Sequence, residues 1–144
     1  MAHAMTHDEW RAFVLAQPAR TAKLATVRAD GRPHVAPIWI DLDDDDTVVF
    51  NTGAETAKGK ALRRDPRVSL CLDDERPPFS FVIIDGEAEI SDDLDEMLHW
   101  ATRIGGRYMG ADQAESFGRR NAVPGELLVR VRPTRVVAQA DIAD

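Results

Sequence analysis

The chain has 144 residues, 44% of them hydrophobic and 30% charged, with a formal net charge of −7. A chain of this length folds as one domain and buries roughly 68–70% of its extended surface, so one core is expected across residues 1–144, with the first five residues expected to lack fixed structure. No run approaches the roughly 20 apolar residues of a membrane span, the amino terminus lacks the basic-then-apolar order of a secretory signal, and the acidic balance is wrong for neutralising many phosphates. Neither nucleic acid nor a membrane is an expected partner, and the cytoplasm is the expected compartment.

In chain order, "THDEW" carries a capping box, Thr6 with Glu9 three residues on, that opens a short helix through about Leu15. "TAKLATVRADGRPHVAPIWID" reads as two strands joined by a tight turn at Asp30-Gly31. The second, from about Pro33 to Asp41, is apolar on both faces, which predicts cover on both sides. "DLDDDD" is expected to be a solvated acidic turn before a third strand, "TVVFNT". After a basic segment come two further strands, "RVSLCLD" and "FSFVIIDGEAEI". The only cysteine, Cys71, lies in the first of these, which excludes an internal disulfide and predicts a buried thiol. "SDDLDEMLHWATRIGGRY" predicts a helix capped by Ser91, with Leu94, Met97, Leu98, Ala101 and Ile104 on one stripe and an end or bend at Gly105-Gly106. A weaker helix from about Asp112 to Arg120 precedes a last strand, "ELLVRVRPTRVVA". Hairpins of this kind predict a mainly β, antiparallel, closed or partly closed barrel with helices at its flank.

The basic segment is where chemistry is expected. From Thr56 to Arg67 it holds Lys58, Lys60, Arg63, Arg64 and Arg67 against Asp65 alone. On a helix from about Ala54 to Arg64, Ala54, Ala61 and Leu62 fall within about 60° of Lys58, while Lys60, Arg63 and Arg64 point the other way. Charges on the outer face are explained by solvent. An ammonium on the packing stripe must instead snorkel outward or meet an anion. "FNTGAET" ends a strand in small and hydroxyl-bearing residues where that helix begins, which leaves backbone N–H groups free for a phosphate. The segment is not a P-loop, because Gly59 follows the lysine and the required spacing is absent. His3, His7, His34 and His99 show no metal-ligand spacing, so no metal is expected. No serine lies in a nucleophile elbow, and no catalytic acid or base is singled out.

"FNTGAETAKGKALRRDPRVSL" resembles the phosphate-binding segment of the pyridoxamine 5′-phosphate oxidase-like split-barrel flavoproteins. "KLATVRADGRPHVAPIWI" resembles that superfamily's first hairpin, and "NAVPGELLVRVRPTRVVA" the final strand of its actinobacterial branch, which uses the deazaflavin F420. The resemblance spans about residues 20 to 138. It implies an FMN-binding-type split β-barrel of Greek-key type and a homodimer with cofactor sites at the subunit interface. It further implies hydride transfer from reduced F420 to an activated double bond, a quinone or a similar small-molecule acceptor, with the proton drawn from solvent.

Carried over by position, Lys58 holds the cofactor phosphate, Thr56 and Lys60 flank it, and Asn51-Thr52 lead up to it. Pro37, Ile38 and Trp39, in the stretch that runs on to Ile40, lie along the ring, and Phe79 is an aromatic beside the cofactor. Trp39 reads first as a core residue, because strand aromatics usually pack, and Phe79 is equally open to ordinary packing at a strand start. Arg119, Arg120 and Asn121 stand before the last strand, where an exposed helix end explains them as well. The FMN-dependent members carry an arginine before the lysine; Ala57 stands there, which favours F420. An FMN oxidase or reductase, or a non-enzymatic carrier of a flavin, deazaflavin or haem, are the alternatives.

Overall fold

A computed structural model describes all residues, 1–144. Its strands are β1 (His3–Ala4), β2 (Ala22–Val27), β3 (Pro33–Ile38), β4 (Asp41–Leu42), β5 (Val48–Gly53), β6 (Arg67–Asp74), β7 (Ser80–Ser91) and β8 (Glu126–Ala140). Its helices are α1 (His7–Leu15), α2 (Ala57–Arg64), α3 (Leu94–Met109) and α4 (Ala114–Asn121), with a 3-10 turn at Ala111–Gln113.

Every strand pairing is antiparallel, and the order across the sheet is β3-β2-β6-β7-β8-β5-β4. The sheet curls into a half-barrel, the split-barrel fold. β8 is the seam: fifteen residues long, it pairs with β7 along most of its length, with β5 through Val131–Glu126, and with β1 at its far end. Residues 3 and 4, where no fixed structure was expected, are thus drawn onto the edge of β8 that its pairing with β7 leaves open.

Alternation along the strands fills the curl. Leu24, Leu70, Leu72, Val82 and Ile84 point inward and are fully buried, and Trp10 and Val14 of α1 and Leu62 of α2 plug the interior. β5 is covered twice. Val48 and Phe50 face the main core, while Val49 packs with Met97 and Leu128 beneath α3, which is why its sequence runs apolar without alternation. β3 differs from the expectation: it ends at Ile38, and Val35 remains 63% exposed, so this edge strand is covered on one face only.

The acidic turn also differs from a solvated loop. Asp43 accepts from the backbone N–H groups of Asp45 and Thr47, and Asp46 accepts from His7. Asp41 is buried, accepts from the Leu42 N–H (2.8 Å) and from Arg103 Nε (3.1 Å), and lies 3.8 Å from Arg107. Arg107 donates onward to the Ile40 and Val14 carbonyls. α3 is thereby bolted to the end of β3 and to β4.

Asp93, rather than Ser91, caps α3, accepting from Asp95 and Glu96, while Ser91 holds the Asp93 N–H. α3 runs straight through Gly105-Gly106. A Cβ at residue 105 would stand 2.6 Å from Phe117 Cβ, so glycine serves close packing of α3 on α4 and does not end the helix.

Removing the Asp41 carboxylate strands one largely buried guanidinium and one half-exposed one. Asp41→Ala is expected to cost about 2–4 kcal/mol, read as a lowered urea midpoint with an unchanged slope.

Candidate functional site

Three residues separate the end of β5 from the start of α2. Thr56 caps it, accepting from the Gly59 N–H (3.1 Å) and donating to the Gly53 carbonyl (2.8 Å). The helix starts at Ala57, three residues later than the periodicity suggested. Gly59, Ala61 and Leu62 are buried beneath it, and Lys58 is half-buried at its first turn. A Cβ on residue 59 would lie 2.2 Å from the Gly53 carbonyl oxygen, so the helix backbone rests directly on the end of β5.

The other cations of the island have partners. Arg67 pairs with Asp65 and holds that carboxyl down at about 2. Arg63 donates to the Ala54 carbonyl and lies 3.5 Å from Glu55. Arg64 reaches the Val27 carbonyl, and Lys60 Nζ is 3.8 Å from Glu55. Lys58 has neither an ion pair nor a hydrogen bond. Its side chain lines a cleft of about 260 Å³ together with Pro37, Ile38, Trp39, Asn51, Thr52, Ile104, Asn121 and Glu126.

Three walls make this cleft. The end of β3 supplies Pro37 and Ile38, and Trp39, which follows it, is held flat on Tyr108 of α3, ring centroids 5.1 Å apart and planes 4° from parallel, with Phe117 of α4 tilted against it at 5.7 Å. Tyr108 is fixed in turn, donating to the Arg20 carbonyl (2.7 Å) and accepting from the Ile40 N–H (3.2 Å); burial pushes its phenol up. β5 supplies Asn51 and the buried Thr52, whose hydroxyl is 3.3 Å from that of Thr56. β8 opens with Glu126, whose carboxylate accepts from Asn51 Nδ2 (3.3 Å). Burial pushes this carboxyl up, and the Asn51 hydrogen bond and the Lys58 charge pull it down.

Of the residues expected at a cofactor, then, Lys58, Pro37, Ile38, Trp39, Asn51 and Thr52 share one cleft. Thr56 stands just outside it as the helix cap. Lys60 is exposed on the opposite face of α2. Phe79 lies far from the cleft, with φ 64 at the turn into β7, 40% exposed, its carbonyl accepting from Ile142. Asn121 reaches the cleft; Arg119 pairs with Glu115 and Arg120 covers Phe117. Sequence reasoning missed Ile104 as a lining residue and missed Glu126 altogether. Only its place after "NAVPG", at a strand start facing the end of β5, could have marked it. A larger cleft of about 360 Å³ lies between β1, α1 and β8; six of its nine lining residues are hydrophobic, and its one arginine, Arg135, is exposed.

The antiparallel half-barrel with helices at its flank defines a split barrel, and a cleft lined by Lys58 opens at the edge of its sheet. Residues 6–140 match the pyridoxamine 5′-phosphate oxidase family, and the chain belongs to it. Among solved structures it is similar to a conserved hypothetical protein of Mycobacterium tuberculosis (29% identity, TM-score 0.81, covering 93% of this chain and 84% of that one). It is also similar to an F420 reductase (25% identity, TM-score 0.66, 87% and 94%). A heme storage protein of Vibrio cholerae shares the fold at 18% identity, with a TM-score of 0.70 over 92% and 94% of the two chains.

Gly59→Ala tests the junction. Within a helix this change ordinarily stabilises by about 1 kcal/mol; against the Gly53 carbonyl it is expected to destabilise by about 1–3 kcal/mol, seen as a lower thermal midpoint.

Proposed function

We propose that the protein is an F420-dependent oxidoreductase acting on a small-molecule acceptor such as an activated double bond or a quinone. One observation carries this reading: in a segment where every other cation is engaged, the Lys58 ammonium is left free and faces a cleft. A confined charge of this kind is stable where an anion meets it.

The donor set fits a cofactor phosphate. Thr56 occupies the Gly59 N–H, leaving those of Ala57 and Lys58 at the positive end of α2, beside the ammonium. Lys58 would hold the phosphate, Asn51 and Thr52 would border it, and the stretch Pro37 to Trp39 at the end of β3 and just past it would lie along the ring. Trp39 is stiffened for that by Tyr108 and Phe117. Reduced F420, when bound, supplies the hydride. The chain's part is to anchor, to orient and to keep water from one side of the ring. The F420 reductase among the similar structures and Ala57 in place of an arginine support F420 over FMN.

The reading includes a homodimer. Cys71, Ile83 and Val137 are in register as an apolar strip on the outward face of the sheet, beside Lys23; the paired Ala25 and Val35 lie on the same face one row over, next to Ser69, and Val35 is widely exposed. A second copy covering this face would bury that apolar strip, and Phe79, remote from the cleft of its own chain, needs a second copy to stand beside a cofactor. A thiol on this strip is already pushed up by burial, and by Asp73.

Titration with F420 and FMN side by side is expected to give micromolar or tighter F420 binding and weaker FMN binding. Lys58→Ala is expected to lose at least tenfold in F420 affinity, about the worth of one charge-assisted contact; unchanged binding removes the lysine from the site. In light scattering, the wild type is expected at the mass of two chains. Ile83→Glu, which sets a charge on the strip, is expected at the mass of one.

A further inference from the structure

We propose that Glu126 decides which kind of phosphate the cleft accepts: with its carboxylate set across from Lys58, a singly charged phosphodiester enters as it stands, whereas a doubly charged phosphomonoester enters only with a proton. The inference rests on Lys58 being the anion anchor and adds an opposing charge to it.

The geometry leaves Glu126 little freedom. It is the first residue of β8, paired with Gly53 at the very end of β5, and half-buried. Its carboxylate is held by Asn51, whose amide also faces the Asn121 carbonyl at 3.5 Å. Lys58 of α2 is the one charged group facing it. The other elements around the cleft present Asn51 and Thr52 of β5, Ile104 of α3, Asn121 of α4 and the end of β3, none of which titrates. Lys58 and Glu126 share the cleft without forming an ion pair, so space for a ligand remains beside them.

The consequence is electrostatic. Ammonium and carboxylate together bring the site near zero net charge, so each further negative charge on a ligand is opposed. Burial already disfavours the ionised carboxyl, and the Lys58 charge is one of the things that keeps it ionised. A singly charged anion is matched by Lys58; the second charge of a doubly charged one outweighs it, so its entry favours uptake of a proton by the site or the ligand. F420 carries a phosphodiester with one charge. FMN carries a monoester whose second proton leaves near pH 6, giving two charges above that.

The test is calorimetric titration of wild type and Glu126→Gln with F420 and with FMN, at about pH 6 and about pH 8, in two buffers of different ionisation enthalpy. Gln keeps the acceptor for Asn51, so the variant is expected to fold. Repulsion across a hydrated cleft is worth about threefold in affinity per unit of ligand charge. At about pH 8 the variant is therefore expected to gain about tenfold for FMN and about threefold for F420. Wild type is expected to take up more protons on binding FMN than the variant does. A measurement without ligand runs alongside: burial holds the folded-state carboxyl above its unfolded value, so the contribution of Glu126 to stability is fully present below the unfolded value and is lost as pH rises through the folded one. Glu126→Gln is expected to lack that loss.

Equal FMN-to-F420 ratios and equal pH slopes in the two proteins overturn the role of Glu126. If Lys58→Ala weakens both ligands in that case, the anchor survives alone. If Lys58→Ala binds as wild type does, or wild type binds neither ligand, both readings fall.

Discussion

The contact between a helix backbone and a strand end sets this site. α2 lies so close to β5 that residue 59 has no room for a side chain against the Gly53 carbonyl. From that seat, Ala61 and Leu62 turn into the core and Lys58 is carried to the rim of the cleft. Thr56 then locks the junction from both directions, capping the helix and returning its hydroxyl proton to the strand end. Were α2 to stand further off, the ammonium would reach bulk water and its charge would require no partner.

The facing wall is held by different chemistry. β3 is an edge strand with one open face, a poor platform by itself. α3 compensates: Arg103 and Arg107 meet the buried Asp41, and Tyr108 both stacks on Trp39 and ties the Ile40 N–H to the Arg20 carbonyl. Burying Asp41 without those two guanidinium groups would cost several kcal/mol. The acidic run that reads as a solvated turn therefore conceals the bolt between α3 and the sheet, and nothing in five near-consecutive aspartates tells which of them is inside.

The fold was legible for a simple reason. Strands with one buried face write a period of two into their sequences, as β2 and β6 do, and hairpin turns announce themselves by Asp-Gly. The inward placement of Lys58 was legible as well, because a helix's periodicity puts it on the same stripe as Ala61 and Leu62. Glu126 was not. It lies next to Asn51 and Lys58 through β5–β8 pairing, a contact between residues more than sixty positions apart along the chain, and local pattern carries no record of it. The ambiguity over Trp39 was of the same kind, since stacking on Tyr108 depends on where α3 lands.

By itself, then, the sequence determined the antiparallel strands, the capped helices and the one lysine placed where an apolar residue would be expected, because each of these is governed by residues within a turn or two of one another. The tertiary structure alone decided which aspartate is buried, that the glycine pair in α3 packs a helix instead of ending one, and that a carboxylate shares the cleft with the lysine. Those outcomes depend on distances across the sheet and between helices, which come into being only when the half-barrel curls and brings remote segments together.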